Sequence, residues 1–162
     1  MERFAIPGVG ALIIRNENGI EEILIQERWK ENAASENGLL EIPAGKIREF
    51  ENIFDTLRRE VKEETGLDIT EIQGEDCTLL YESDEYKVIS FMPYACNQNL
   101  SGSYPIMVFV FICRASGNLL HNSDESNNYR WIPVNTLKDI LISNPQKFYP
   151  MHVNTLRKYL NV

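Results

Sequence analysis

Cysteine is scarce in this sequence: 3 residues in 162, at Cys77, Cys96 and Cys113. The count is odd and no pair has metal-knuckle spacing, which argues against a disulfide framework or a zinc site. Reduced thiols are expected, and with them a cytoplasmic setting. Long apolar runs are also missing. The longest, Ile106 to Cys113, is far below the ~20 residues that span a bilayer as a helix. Few residues precede the first apolar stretch, so neither a secretory leader nor a membrane partner is expected. Basic residues are outnumbered, 16 against 24 acidic, for a net charge of −8 and a pI near 4.8. Such a surface repels phosphate backbones, so no nucleic-acid partner is expected. Internal repeats, low-complexity tracts and linker-like composition shifts are absent. At ~150 residues per domain, residues 1–162 read as one domain, long enough to bury a core without disulfides.

What is present begins with β patterning. Val9 to Ile14 and Glu22 to Arg28 read as strands joined at Asn16-Glu17-Asn18-Gly19, because Asn-Gly tolerates positive φ. Polar residues 29–38 read as a loop. Leu39 to Pro43 reads as a short strand ended by Ala44-Gly45. The clearest helix spans Ile53 to Thr65. Asn52 caps it, Asp55 stands at the capping-box position, Ile53, Leu57 and Val61 form its apolar stripe, and Gly66 occupies the left-handed C-terminal position. Thr78 to Tyr81, Tyr86 to Pro93, Ile106 to Arg114 and Tyr129 to Val134 read as further strands. Residues 95–104 and 116–128 read as polar loops. Val134 to Ser143 and Tyr149 to Leu160 read as helices. Strands before, around and after one strong helix indicate an α/β or α+β class with a mixed sheet.

The helix carries the chemistry. Glu60, Glu63 and Glu64 stand at i, i+3 and i+4, so they share a face, where like charges repel by a few tenths of a kcal/mol per pair. A sequence chosen for stability alone would interleave a lysine. Clustered hard oxygen donors are instead what Mg²⁺ or Mn²⁺ requires. Arg59, four residues before Glu63 and next to Glu60, is placed to orient or partly neutralise the cluster. Taken without its context, an acidic helix face is more often plain surface.

The context is specific. Gly45, five residues, Glu51, seven residues, then Arg59-Glu60-Val61-Lys62-Glu63-Glu64-Thr65-Gly66-Leu67 resembles the Nudix box at every fixed position. The box covers residues 45–67, and Glu41-Ile42-Pro43-Ala44 resembles the usual lead-in. The resemblance implies the Nudix fold, an α/β/α sandwich with a mixed β-sheet whose box forms a loop–helix–loop. It implies hydrolysis of a diphosphate bond in a nucleoside diphosphate linked to another moiety (a nucleotide sugar, an ADP-ribose-like compound or a nucleoside triphosphate). The implied cofactor is Mg²⁺, with Mn²⁺ as a substitute. Glu60, Glu63, Glu64 and the Gly45 carbonyl are the implied metal ligands. Arg59 orients Glu60, and Glu51 supports the site. A homodimer is common in the family. Glu60, Glu64 and Arg59 are therefore the catalytic candidates, joined by Glu125 in the loop before Trp131, where many relatives place an extra acidic ligand or base.

Other residues receive blander readings. Trp131 is assigned to packing, and His121 and His152 to the surface. Tyr94, Tyr104 and Asn97 are the loop residues able to meet a base or ribose. Ser83 stands where the proline typical of ADP-ribose hydrolases would fall, so that marker is not evident, and Tyr81 and Tyr86 do not match the dinucleoside polyphosphate marker. The lead-in leans toward nucleoside diphosphate sugars. The alternative of a non-catalytic, nucleotide-sensing Nudix domain is disfavoured by the complete set of box glutamates. An isopentenyl-diphosphate-isomerase-like activity is disfavoured because no cysteine precedes the box.

Overall fold

The computed structural model describes residues 2–31 and 33–162. Five main strands are ordered β10(Ser126–Pro133), β2(Ile20–Arg28), β1(Ile6–Glu17), β9(Ile106–Ser116), β5(Asp68–Ile72). Only β1 and β9 among these neighbours run parallel, so the sheet is mixed. The hairpin between β1 and β2 turns at Asn18 and Gly19, both at positive φ as the Asn-Gly pair predicts.

The sheet forks between β1 and β2. Their pairing covers Ile14–Glu17 against Ile20–Ile23 only. Beyond it, β3(Leu40–Glu41) pairs with β2 and β4(Ala44–Lys46) pairs with β1. The segment 40–46 thus fills the fork. Ala44-Gly45 does not end a strand, as the sequence suggests, but begins one. Residues 95–104 are likewise not all loop: β8(Ala95–Gln98) lines up against β9. Its polar, Asn- and Gln-containing sequence hides an edge strand held by main-chain bonds. β5, mostly exposed and with its alternation broken at a register shift between Ile69 and Glu71, is a second strand the apolar pattern does not reveal.

Period-two alternation in β1, β2 and β9 divides the core into two layers. Val9, Ala11, Ile13, Leu24, Phe111 and Cys113 face α1(Ile53–Thr65), meeting Ile53, Phe54, Leu57 and Val61. Leu12, Ile23, Ile25, Val108 and Val110 face the opposite side. There they meet Leu137 and Leu141 of α2(Val134–Ser143) and Leu156 and Leu160 of α3(Pro150–Leu160). Strands covered on both faces explain the continuous apolar runs. The result is an α/β/α sandwich. Trp131 packs against the α1 layer with the Arg15 guanidinium 4.3 Å above its ring, as expected of a packing residue. A separate hairpin, β6(Leu79–Glu82) with β7(Lys87–Ser90), stands off the main sheet. No helix among the described residues is long and apolar enough to cross a membrane.

Candidate metal and phosphate site

The local rules that build α1 also aim its carboxylates. The Asn52 side chain accepts the Phe54 N–H at 2.9 Å, and Gly66 adopts φ 81° at the C-terminal end. Both ends fall where the sequence puts them. With its apolar stripe buried against the sheet, α1 turns Glu60 and Glu64 toward the fork in which β3 and β4 lie and leaves Glu63 on its solvent side.

Arg59 is the hub on the outer side. Its guanidinium donates to both oxygens of Glu51, at 2.7 and 2.8 Å, to Glu60 at 2.6 Å and to Glu63 at 3.2 Å. A further bond reaches the Lys46 carbonyl and ties α1 to β4. A planar five-donor fork can serve three carboxylates at once, which a lysine cannot. Hydrogen bonds from Arg59 hold the Glu51 carboxyl down at about 2. Glu60 behaves oppositely: burial raises its pKa, against the pull of Arg59. Glu63 stays largely exposed, shared between Arg59 and a 4.0 Å approach by Arg48.

Gly45 explains itself sterically. A Cβ there would lie 1.9 Å from Glu60 Cδ. The Glu60 carboxyl therefore rests directly on the Gly45 backbone, and only glycine admits it. Gly45 also pairs with Val9 in the β4–β1 ladder.

Glu64, one residue beyond Glu63, sits in a different environment. It is only 6% exposed. Its Oε2 accepts the Gln26 amide at 2.9 Å and the Ala44 N–H at 3.1 Å. Burial, with Glu41 and Glu60 as like-charged neighbours, pushes it up to about 8 despite those bonds. Glu41 is buried too. It accepts Gln26 at 3.3 Å and Arg28 at 3.1 Å, and burial raises its pKa against the attraction of Arg28. Arg28 continues to Glu36 at 2.8 Å and lies 4.2 Å over the Tyr149 ring.

These groups border a cleft of about 180 Å³ whose walls include Gly45, Glu60, Glu125, Arg28, Lys46 and Tyr104. Glu125 enters from the loop before β10. Its carboxylate pairs with Lys30, and its carbonyl accepts the Trp29 N–H at 2.7 Å. That loop is tied to the helix by Tyr129, whose single hydroxyl proton lies within reach of both the Glu64 carbonyl and Ser126 O. His152 also borders the cleft. The sequence reading places it on the surface, but it is 1% exposed. Its Nδ1 accepts the Ile42 N–H at 3.2 Å, and burial lowers its pKa to about 3. The neutral imidazole thereby pins the β3–β4 segment to α3.

Of the sequence candidates, Gly45, Glu60 and Glu125 share the cleft wall, Glu64 lies behind Ala44, and Arg59 and Glu63 lie on the outer side. No three of the described His, Cys, Asp and Glu side chains close into a metal-binding group. The donor set still suits a hard divalent cation: oxygens only, on a carboxylate pressed against bare backbone and a second whose burial disfavours its charge. Tyr104 borders the cleft, with Lys46 5.5 Å from its ring. Tyr94 and Asn97 do not. Tyr94 packs on Tyr159, and Asn97 bonds Thr155 of α3 at 2.7 Å. Arg28, Gln26, Glu41, Tyr149 and His152 escaped sequence reasoning. Glu41 alone had a signal, its place in the lead-in to the box.

A family model described as NUDIX domain matches residues 5–152. A curated relative, Nudix hydrolase 8 of Arabidopsis thaliana, is 43% identical over 61 residues, which are 38% of this chain and 15% of that protein. The chain thus spans a small fraction of that relative. The MutT protein of Methanosarcina mazei Go1 is 25% identical with a TM-score of 0.60, over 98% of this chain and 95% of that one. The NUDIX domain of Shewanella oneidensis NrtR, solved in complex with ADP ribose, has a TM-score of 0.66 at 16% identity, over 99% and 88% of the two chains. A family match across almost the whole length, carried by an unbroken box on the expected loop–helix–loop, makes this chain a member of the NUDIX family.

Proposed function

We propose that the chain is a pyrophosphohydrolase that uses Mg²⁺, or Mn²⁺ in its place, to cleave a diphosphate bond in a nucleoside diphosphate linked to another moiety. Nucleotide sugars, ADP-ribose-like compounds and nucleoside triphosphates are the substrate classes within reach. The observation that carries this reading is the Glu60 carboxyl seated on Gly45 at the wall of a cleft that also bears Arg28, Lys30 and Lys46. Carboxylates beside cations, of which Arg28 and Lys30 are held by glutamates and Lys46 lies by the Tyr104 ring, suit a polyphosphate better than either charge alone.

Glu60 and Glu64, with Glu63 and the Gly45 carbonyl as further donors, would hold the cation. When bound, a divalent cation screens the phosphates from the carboxylates and lowers the pKa of a coordinated water. Arg59 keeps Glu60 in place through a 2.6 Å bond while Glu51 occupies its other edge. Arg28 and Lys46 orient phosphate oxygens. Glu125, on the loop facing Glu60, takes the proton of the attacking water. Its partner Lys30 moves to a phosphate once substrate enters.

The test is a panel of nucleotide sugars, dinucleotides, ADP-ribose and nucleoside triphosphates with Mg²⁺ or Mn²⁺, read by chromatography of the released nucleotides. Turnover of at least one class is expected, reduced more than about 100-fold by Glu64→Gln with the fold retained. If the wild-type protein binds a member of the panel tightly but never cleaves it, the hydrolase reading is wrong and a sensing domain replaces it.

A further inference from the structure

One buried side chain has no part in that scheme. Gln26 of β2 is fully buried. Its amide nitrogen donates to Glu64 Oε2 and to Glu41 Oε1. Its Oε1 is a buried side-chain oxygen that finds no partner among the described residues. Leu24, two residues earlier on the same face of β2, is apolar and sealed in the α1 layer, so packing alone would accept leucine or methionine at position 26. Leaving a buried acceptor unsatisfied is destabilising. A glutamine there requires a chemical reason.

The bonds supply one. Glu64 Oε2 receives two donors, Gln26 Nε2 and the Ala44 N–H, one from each side of the fork. Glu64 Oε1 receives none from the described residues. Two donors on one oxygen fix the plane of the carboxyl group and leave the other oxygen open. On Glu41 both oxygens are engaged, one by Gln26 and one by Arg28. An amide can bond both carboxylates without neutralising either, whereas a lysine or arginine at this point would compete with any cation for Glu64.

We propose that Gln26 is a positioning residue that turns Glu64 so that Oε1 is the oxygen presented to a divalent cation, and that separates Glu64 from the Arg28-paired Glu41. This inference rests on the reading of Glu64 as a metal ligand. The test is titration of the full chain with Mn²⁺ alone, following free Mn²⁺ by electron paramagnetic resonance, with thermal unfolding measured in parallel. Gln26→Met preserves volume and removes both donors, and Gln26→Leu offers a second route should methionine pack poorly. Mn²⁺ affinity is expected to fall about 10-fold or more in a variant that remains folded, within the 10–100-fold range typical of residues that orient metal ligands. Wild-type affinity in a folded variant overturns the inference. Unfolding of both variants also overturns it, because Gln26 is then a structural residue. Failure of the wild-type protein to bind Mn²⁺ instead overturns the metal reading itself.

Discussion

Glu63 and Glu64 are consecutive in sequence and opposite in circumstance. Glu63 lies on the solvent side of α1, more than half exposed, and shares Arg59 with Glu51 and Glu60. Glu64 lies one step, roughly 100°, further round the helix. It is buried against β2 and β4 and held only by neutral N–H donors. The outer side is organised by charge: one arginine bridges three carboxylates, of which only Glu63 reaches well into the solvent that screens it. The buried side is organised by placement, with a backbone N–H and an amide fixing a carboxylate that has no cationic side chain of its own. An exposed pair contributes little to stability and tolerates change. A buried carboxylate without a counter-ion is costly, and cation binding is the condition that offsets it.

Substitution can break this contrast. The largest difference is expected between Glu64→Gln and Glu63→Gln assayed side by side, with turnover lost more than about 100-fold in the first and about tenfold or less in the second. Equal losses would mean that the two environments are functionally equivalent. Gly45→Ala comes next. Its Cβ must displace the Glu60 carboxyl, and displacement of a reacting group by about 1 Å costs on the order of 100-fold. Gly10→Ala is the control, since a Cβ there meets nothing closer than 3.5 Å and activity should stay near wild type. Arg59→Lys tests the outer side. It cannot fork onto Glu51 while reaching Glu60 and Glu63, so turnover should drop about tenfold. An unchanged rate would remove Arg59 from the site.

The smallest effect concerns stability at acid pH, through His152. Its folded pKa of about 3 lies below the ordinary 6.5. The neutral ring therefore contributes stability above pH 6.5, and that contribution is lost as pH falls toward 3, where the unfolded chain binds the proton more readily. His152→Leu leaves the Ile42 N–H without its acceptor, which costs about 1–3 kcal/mol at neutral pH. The gap between wild-type and variant melting temperatures should close as pH falls from 6.5 toward 3. A gap independent of pH would refute a neutral, buried imidazole.

The helix and box were readable because their rules are local. Asn52, the Ile53–Leu57–Val61 stripe and Gly66 fix α1 to its observed ends, and the box spacing identifies Gly45, Arg59 and the glutamates directly. β8 was not readable, because an edge strand of Ala, Cys, Asn and Gln lacks an apolar face. The buried half of the site was not readable either. Gln26 and Glu64 are 38 positions apart, and Ile42 and His152 are 110 apart.

By itself, then, the sequence determined the family, the helix and which carboxylates stand on one of its faces, since spacing along 3.6 residues per turn settles that without reference to the rest of the chain. Only the tertiary structure decided that Glu64 is buried while Glu63 is not, that Glu60 lies against Gly45, and that Gln26, Arg28, Glu41 and His152 gather behind them. Burial depends on what the other elements bring to a face. Here that is the fork between β1 and β2, filled by residues 40–46 and closed by α3.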